Sequence, residues 1–301
     1  MRIKGKIRYS LFITLTKVAD YLNSKFDFSK LPYALELYNF VHKRIRIEMP
    51  EIVSTIHGFK MYLNPDDRTV STSLALYGTY EQGITELFKK VVKKRDIVVD
   101  IGANIGYYTL LASKLVGENG KVYAFEPETE NYRLLLKNIE INNAKNVIPL
   151  QKAVSNKRGT IKLYLHKHNP GAHSIVSKSK EFIEVESITL DEFFGMNSKV
   201  DVVKIDIEGG EMLALLGMSK IIKSNENIKM FIEFWPYGIR KSGYSPEEFV
   251  NELLKHDFKI FDIENKRLVK TYEDLKSVKK ATNLFITRNL ERYERVLECS
   301  R

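Results

Sequence analysis

The chain has 301 residues, of which 44% are hydrophobic and 29% charged, so its length suits two average domains or one larger α/β domain with an extension. Its single cysteine, Cys299, excludes an internal disulfide and a cysteine-based metal cluster, and this suits a reducing cytoplasm. The formal net charge of +10 would attract polyanions, so nucleic acid and anionic lipid have to be weighed as partners.

The positive charge is concentrated in residues 1–50, which hold ten Lys and Arg against four Asp and Glu. An apolar run at 9–22 is interrupted by Lys17 and Asp20, well short of the roughly 20 apolar residues that span a bilayer, and no small-residue cleavage site follows it. Its apolar residues recur at helical spacing. We therefore predict a basic helical extension at 1–50 that packs on the rest of the chain, with peripheral contact to an anionic membrane as the alternative.

From residue 96 onward, short apolar runs alternate with longer segments of helical periodicity, which is typical of a parallel sheet wrapped by helices. Strands are predicted at 97–100, 121–126, 146–150, 160–165, 181–188, 200–206, 228–234, 257–263 and 282–287. Helices are predicted at 84–94, from about 106, and at about 129–143, 210–222 and 246–255. Because no long helix separates the last two strands, we expect them to form an antiparallel edge of the sheet.

The sequence at residues 100–109, DIGANIGYYT, directly follows an apolar run. Gly102 and Gly106 suit a tight strand-to-helix turn that brings backbone close to a ligand. The G-x-x-x-G spacing departs from the pyrophosphate fingerprint G-x-G-x-x-G at Asn104, which disfavours a dinucleotide and a dehydrogenase. Asp100 would repel a diphosphate and attract a cationic amine or sulfonium. These features indicate S-adenosylmethionine, which carries both cations.

A second acid supports this interpretation. Glu126 ends the next predicted strand, where a carboxylate can accept hydrogen bonds from both ribose hydroxyls. A glycine-rich turn by itself also fits a plain tight turn. An acid before the turn and another after the following strand favour the nucleoside cofactor.

Four motifs occur in order along the chain: YGTYEQG at 77–83, DIGANIGYYT at 100–109, AFEP at 124–127 and VVKIDIEGGE at 202–211. In these motifs the sequence resembles the FkbM-type family of S-adenosylmethionine-dependent methyltransferases, over about residues 57–236. The resemblance implies a class I methyltransferase fold, a Rossmann-like, doubly wound α/β sheet of about seven strands. It also implies S-adenosylmethionine as cofactor and methylation of a hydroxyl on a sugar, polyketide or similar small molecule. The predicted organisation is the extension at 1–50, a methyltransferase domain at 51–290 and a tail at 291–301.

Further residues are expected at the cofactor. Glu81 lies just before the predicted helix at 84–94 and could fold over the cofactor as part of a lid, or simply complement the helix dipole. Gln151, Lys152 and Ala153 follow the third strand, where backbone amides are expected to lie along the adenine ring. The predicted cofactor-binding residues are Glu81, Asp100, Gly102, Asn104, Gly106, Glu126, Gln151, Lys152, Ala153 and Asp206.

The motif VVKIDIEGGE places three carboxylates after an apolar strand. A neutral hydroxyl is a poor nucleophile because its pKa lies far above neutrality, so methylating it needs a base or a metal. Asp206 is the predicted base, with Glu208 beside it and His173 as an alternative catalytic base. Helix capping explains Glu211 equally well. Mg²⁺ on Asp206 with Glu208 or Glu233 is chemically adequate, but the spacing does not require it, so no metal is predicted.

Glu233 and Trp235, in FIEFWPYG at 231–238, are predicted to bind substrate, because an aromatic face beside a carboxylate suits a sugar ring; a core tryptophan fits equally. The expected partner is a small-molecule, sugar or lipid-linked glycan acceptor, with no nucleic acid, in the cytoplasm. Two other functions stay open. An RNA methyltransferase would explain the basic charge, although the acids at 206–211 would repel phosphates. The other is a non-catalytic nucleotide-binding module.

Overall fold

The computed structural model describes residues 51–67, 69–166, 173–176, 179–195 and 198–298. The predicted helical extension at 1–50 lies outside these ranges, as does the end of the predicted tail, 299–301. The proposed division into extension, methyltransferase domain and tail therefore stays a prediction.

The described elements follow one another with short connections. The strands are β1 (Ile52–Ser54), β2 (Lys60–Tyr62), β3 (Ile97–Ile101), β4 (Lys121–Phe125), β5 (Val147–Leu150), β6 (Ala153–Val154), β7 (Gly159–Tyr164), β8 (Phe182–Ile188), β9 (Val202–Ile205), β10 (Lys229–Phe234), β11 (Lys259–Asp262), β12 (Arg267–Val269) and β13 (Thr282–Thr287). The α-helices are α1 (Val70–Tyr77), α2 (Gln82–Val91), α3 (Tyr107–Val116), α4 (Thr129–Ile141), α5 (Leu190–Phe194), α6 (Glu211–Leu216), α7 (Ser219–Ser224), α8 (Pro236–Lys241), α9 (Pro246–Leu254) and α10 (Glu294–Glu298).

The main sheet has eight strands in the order β12-β11-β13-β10-β9-β3-β4-β5. Strands β10, β9, β3, β4 and β5 are parallel, and β13 runs antiparallel to both β10 and β11. Helices flank this sheet, so the expected doubly wound α/β class is confirmed. The predicted antiparallel pairing of the last two strands is also present, but the prediction that it forms the sheet edge was wrong.

The physical reason lies in the burial of β13. Five of its six residues are buried, so it is stable between β10 and β11 rather than at an exposed edge. The edge is instead the short β12, whose Leu268 is exposed and which pairs antiparallel with β11. Pairing between distant strands is set by tertiary packing, which local apolar patterning does not encode.

Two further departures from the predicted elements occur. The predicted strands near 160–165 and 181–188 are β7 and β8, which form a separate three-stranded sheet with β6, in the order β6-β8-β7. The predicted helix at 210–222 is divided into α6 and α7. Gly217 lies at the division, and a Cβ there would approach the Ser155 carbonyl oxygen to 2.0 Å. This contact holds the α6 end against the loop after β6.

The core consists of one apolar cluster on each face of the main sheet. Val98 and Val202 join the cluster that contains Leu87 of α2, whereas Val99 and Val203 join the opposite cluster. This follows from the alternation of side chains along a strand. Within the described residues, every helix falls short of the length and apolar character needed to cross a membrane.

Candidate active site

The turn after β3 is shaped by its glycines. Gly102 and Gly106 have φ angles of +83° and +96°, in the region that glycine occupies without steric cost. A Cβ on Gly102 would lie 1.9 Å from the carbonyl oxygen of Asp206. Gly102 thus allows the turns after β3 and β9 to meet. The sequence analysis explained this glycine by the close approach of a ligand; the structure shows that it also makes room for the neighbouring turn.

The first pocket lies between the turns after β3, β4 and β5. It is lined by Ile101, Gly102, Asn104, Phe125, Glu126, Pro127, Asn131, Lys152, Ala153, Val154, Leu163, His173, Ile175, Asp206, Ile207 and Glu208. Apolar walls with a few convergent polar groups are typical of a nucleoside site. Of the residues predicted along adenine, Lys152 and Ala153 line this pocket, whereas Gln151 is exposed and lies outside its lining, donating from Nε2 to Thr129 Oγ1 at 3.3 Å.

Glu126 is the buried acid of the first pocket. Its Oε2 accepts the backbone N–H of Asn104 at 2.8 Å, and its Oε1 accepts that of Glu128 at 2.9 Å. Burial raises the pKa of Glu126 to about 8. Each carboxylate oxygen has further acceptor capacity, so Glu126 can still bind the hydroxyls of a ribose.

A second pocket adjoins the first. It is lined by Thr69, Val70, Tyr80, Asp100, Gly102, Ala103, Asn104, Tyr107, Tyr108, Lys204, Asp206, Glu208 and Glu233. The two pockets share Gly102, Asn104, Asp206 and Glu208. A ligand in the first pocket and one in the second would therefore meet beside Asp206.

Lys204 is the cation at the centre of the second pocket and was missed by the sequence analysis. Its Nζ lies 2.8 Å from Asp206 Oδ2 and 4.5 Å from the ring centroid of Tyr108. Burial lowers the pKa of Lys204, but the carboxylates of Asp206, Glu81 and Asp100 outweigh burial and raise it above its usual value. A charged residue within the buried strand sequence VVKI was the signal that could have revealed it.

Asp100 and Glu81 face this cation from two other elements. Asp100 is buried and accepts a hydrogen bond from Thr109 Oγ1 at 2.6 Å, and burial raises its pKa. Glu81 immediately precedes α2 and accepts a hydrogen bond from the Tyr108 hydroxyl at 3.0 Å. Desolvation raises the pKa of Glu81 to about 7. Glu81 is outside the linings of both pockets, and its role as a lid over the cofactor stays a prediction.

Three glutamates surround Asp206 and differ in what they contact. Glu211 Oε1 accepts the backbone N–H groups of Ile207 and Gly209, which precede α6, so it stabilises the turn after β9. Burial raises the pKa of Glu208 to about 8. Glu233 Oε2 is buried without a hydrogen-bond partner, and burial raises the pKa of Glu233 well above its usual value. Among the described residues that line the second pocket, Glu233 Oε2 is thus the buried side-chain oxygen without a hydrogen-bond partner.

The two remaining predicted residues lie apart from the second pocket. His173 lines the first pocket, and its Nδ1 accepts the backbone N–H of His166 at 2.9 Å. Burial lowers the pKa of His173. Trp235 lines neither pocket; a Cβ on Gly238 would lie 2.2 Å from its indole, which shows close packing. The catalytic role of His173 and the substrate-binding role of Trp235 stay predictions.

Left-handed backbone occurs at three non-glycine residues at or beside these pockets, as it does at four others elsewhere among the described residues. Glu81, Asn104 and Glu208 all have φ between 43° and 52°, a left-handed conformation that is unfavourable for residues other than glycine. Strain of this kind persists where the surrounding structure enforces it and is frequent at functional sites.

The strand order and the joined pockets at the carboxyl ends of the parallel strands define a class I methyltransferase. The methyltransferase FkbM domain model matches residues 100–260, and the chain belongs to this family, which confirms the resemblance.

Three comparisons illustrate the similarity. Methyltransferase sdnD of Sordaria araneosa is 30% identical over 179 residues, which cover 48% of this chain and 68% of that protein. Hexuronic acid methyltransferase AglP of Haloferax volcanii is 29% identical over 150 residues, 48% of this chain and 59% of that protein. A solved SAM-dependent methyltransferase from Aquifex aeolicus is 19% identical, with a TM-score of 0.37 over 68% of this chain and 87% of that one.

S-adenosylmethionine is the cofactor of this methyltransferase, as predicted. The residues present fit it: Glu126 retains acceptor capacity for ribose, and the apolar side chains of Phe125 and Ile207 suit adenosine. Asp100 and Asp206 offer carboxylates to the cationic end. When bound, the cofactor supplies an electrophilic methyl group on a sulfonium.

Proposed function

We propose that the protein is an O-methyltransferase that acts on a hydroxyl of a sugar, a glycan or a related small molecule. The observation that supports this most is the second pocket, where the Lys204–Asp206 pair lies beside the unpartnered Glu233 among three tyrosines. Oxygen acceptors and aromatic faces together suit a polyol, whose hydroxyls need hydrogen-bond acceptors and whose C–H faces pack on rings.

Asp206 is the proposed base. Its Oδ2 is held by the Lys204 ammonium, which fixes the carboxylate at the junction of the two pockets. A carboxylate has two oxygens with several acceptor sites, so Asp206 can also accept the proton of an acceptor hydroxyl. Glu233 would accept a hydrogen bond from a neighbouring hydroxyl. Binding and orientation by these groups supply the proximity that the transfer requires.

The sugar class is supported by one relative. AglP is named a hexuronic acid methyltransferase, and it is 29% identical over the matched segment. The basic residues at 1–50 would further suit an acceptor attached to an anionic lipid, so we include lipid-linked glycans among the acceptors and peripheral membrane contact among the proposals.

A nucleic-acid acceptor is less well supported. Among the described residues that line the second pocket, Lys204 is the one cation against the acids Asp100, Asp206, Glu208 and Glu233. A phosphate backbone is bound by clusters of Lys and Arg, and acids at the reaction centre would repel it. No described feature favours a non-catalytic module.

Transfer of a labelled methyl group to a panel of sugars, lipid-linked saccharides and RNA tests the proposal, with the methylated atom located by mass spectrometry. Asp206→Asn should retain binding of S-adenosylhomocysteine and lose about 100-fold or more in turnover, because it removes the base. Asp257→Asn, an exposed aspartate after α9, is the matched control and should keep normal turnover. Labelling of RNA alone would contradict a sugar, glycan or small-molecule acceptor, and labelling of nitrogen alone would contradict O-methylation.

A further inference from the structure

Methylation of a hydroxyl releases a proton in the second pocket. The O–H bond of the acceptor breaks, a C–O bond forms, the S–CH₃ bond of the sulfonium breaks, and one proton remains to be removed. We propose that a chain of side-chain hydroxyls between Glu81 and His57 carries this proton to the protein surface. The inference rests on the proposed O-methylation.

The inner part of the chain starts at Glu81, which immediately precedes α2. Glu81 interacts electrostatically with Asp206 and Lys204 and accepts a hydrogen bond from the Tyr108 hydroxyl at 3.0 Å. The Tyr108 hydroxyl lies 3.5 Å from Thr85 Oγ1. This link is the longest of the chain, so a small hydroxyl movement has to shorten it for proton transfer. Thr85 is fully buried, which keeps this segment free of competing bulk water.

The outer part continues from Thr85 to the surface. Thr85 Oγ1 lies 3.2 Å from the Tyr107 hydroxyl, which lies 2.9 Å from Thr79 Oγ1. Thr79 Oγ1 lies 3.3 Å from Nε2 of His57, a half-buried residue. The chain thus joins the second pocket to the surface through groups that can each accept one proton and donate another.

The hydroxyl groups of the chain can rotate, so the order of donors and acceptors along it can reverse. Either oxygen of the Thr79–Tyr107 contact, and of the Thr85–Tyr107 contact, can be the donor. Thr85 can also donate to the Tyr80 carbonyl oxygen at 2.7 Å, so its hydroxyl has two alternative acceptors. Rotation of this hydroxyl from the Tyr80 carbonyl towards Tyr107 leaves the Thr85 oxygen able to accept from Tyr108, which connects the two parts of the chain.

Each end of the chain carries a group that can take up and release a proton. Glu81 faces Lys204, Asp206, Tyr108 and Glu264, and desolvation raises its pKa to about 7, so it can exchange a proton near neutrality.

His57 faces Lys89, Lys114 and Glu86, and packs between the rings of Phe59 and Tyr107. Burial and the lysines lower the pKa of His57. At neutral pH the imidazole is therefore uncharged and passes an accepted proton readily to solvent.

The test uses two variants that interrupt the chain at separate points, Thr85→Val inside and His57→Ala at the surface end. Tyr123→Phe and His256→Ala are controls outside the chain; Tyr123 packs on Phe193 and Phe194, and His256 pairs with Glu252. Single-turnover methyl transfer is followed with a labelled donor, while proton release is followed with a pH indicator, in H₂O and in D₂O.

We expect the Thr85 and His57 variants to lower turnover about tenfold, to delay proton release behind methyl transfer and to increase the solvent isotope effect. Added imidazole should restore the turnover of His57→Ala, because it replaces the missing group at the surface. It should not restore the turnover of Thr85→Val. The double variant should be no slower than the slower single variant, because both residues lie on one route.

Hydroxyl methylation with unchanged rates and isotope effects in both variants would overturn the proton route and leave the proposed function intact. Restoration of Thr85→Val by imidazole would also overturn it. If the wild-type protein methylates no hydroxyl, the proposed function itself fails, and the two failures are thereby distinguished.

Discussion

Replacement of Lys204 by methionine is the most direct test of how the second pocket is held together. The Nζ–Oδ2 distance to Asp206 is 2.8 Å, and the Lys204 side chain is 4% exposed. At an effective dielectric constant of about 20, this pair attracts by about 6 kcal/mol, part of which offsets desolvation. Removing one partner of a buried pair costs about 3–5 kcal/mol. Because the Asp206 side chain is 25% exposed, we expect Lys204→Met to lower the free energy of unfolding by about 3 kcal/mol, the low end of this range.

The stability that Lys204→Met loses should depend on pH. In Lys204→Met, the carboxylates of Asp100 and Glu81 no longer face a cation, so their pKa values in the folded state rise further above those of the unfolded chain. The folded variant then binds protons that the unfolded chain releases, and its stability falls as pH rises. The difference from wild type should therefore be larger at pH 8 than at pH 5, in both cases measured by urea denaturation.

Two comparisons make this measurement decisive. Lys89→Met removes a lysine of an exposed pair with Glu86 and should cost less than about 1 kcal/mol. Adding Asp206→Asn to Lys204→Met should recover part of the loss, because the uncompensated charge is removed. A Lys204→Met protein as stable as wild type at pH 8, or equally destabilised at both pH values, would refute the reasoning.

Two further predictions concern the turns of the site. Gly102→Ala should destabilise the protein by about 3 kcal/mol or more, since its Cβ would meet the Asp206 carbonyl at 1.9 Å in a left-handed conformation. Gly83→Ala, which meets no atom within 4 Å, should not destabilise, and equal thermal midpoints for the two would contradict the packing argument. The free energy of unfolding should fall between about pH 4.5 and 8, because the unfolded chain releases the proton that folded Glu208 retains. Glu208→Gln should flatten this fall, which a pH series of denaturation curves measures. An unchanged slope would show that Glu208 is not the titrating group.

Much of the fold was predictable because its signals are local. Each predicted strand from 97–100 to 282–287 is present within two residues of its predicted ends, since apolar runs and turn residues act on their own neighbourhood. The order of the strands in the sheet was harder to predict from the sequence. Burial of β13 between β10 and β11, and the separate sheet of β6, β7 and β8, depend on contacts between residues far apart in the chain.

The candidate site divides in the same way. Asp206, Glu208 and Glu126 were predicted from their positions at strand ends, and they do line the pockets. Trp235, also at a strand end, packs against Gly238 outside both linings. A strand-end position fixes the sheet edge on which a residue lies, but its side-chain direction depends on the neighbouring helix.

The amino-acid sequence alone determined the family, the cofactor and the α/β class. The glycine turn and the strand-end acids are short motifs, so their residues and spacing can be recognised without knowing the tertiary structure. Only the tertiary structure decided which charges neutralise one another. Lys204 lies two residues from Asp206, but its encounter with Glu81 and Asp100 requires β9, β3 and the start of α2 to converge. The hydroxyl chain from Glu81 to His57 likewise exists only where separate segments pack, since hydrogen bonds act over about 3 Å whatever the separation in sequence.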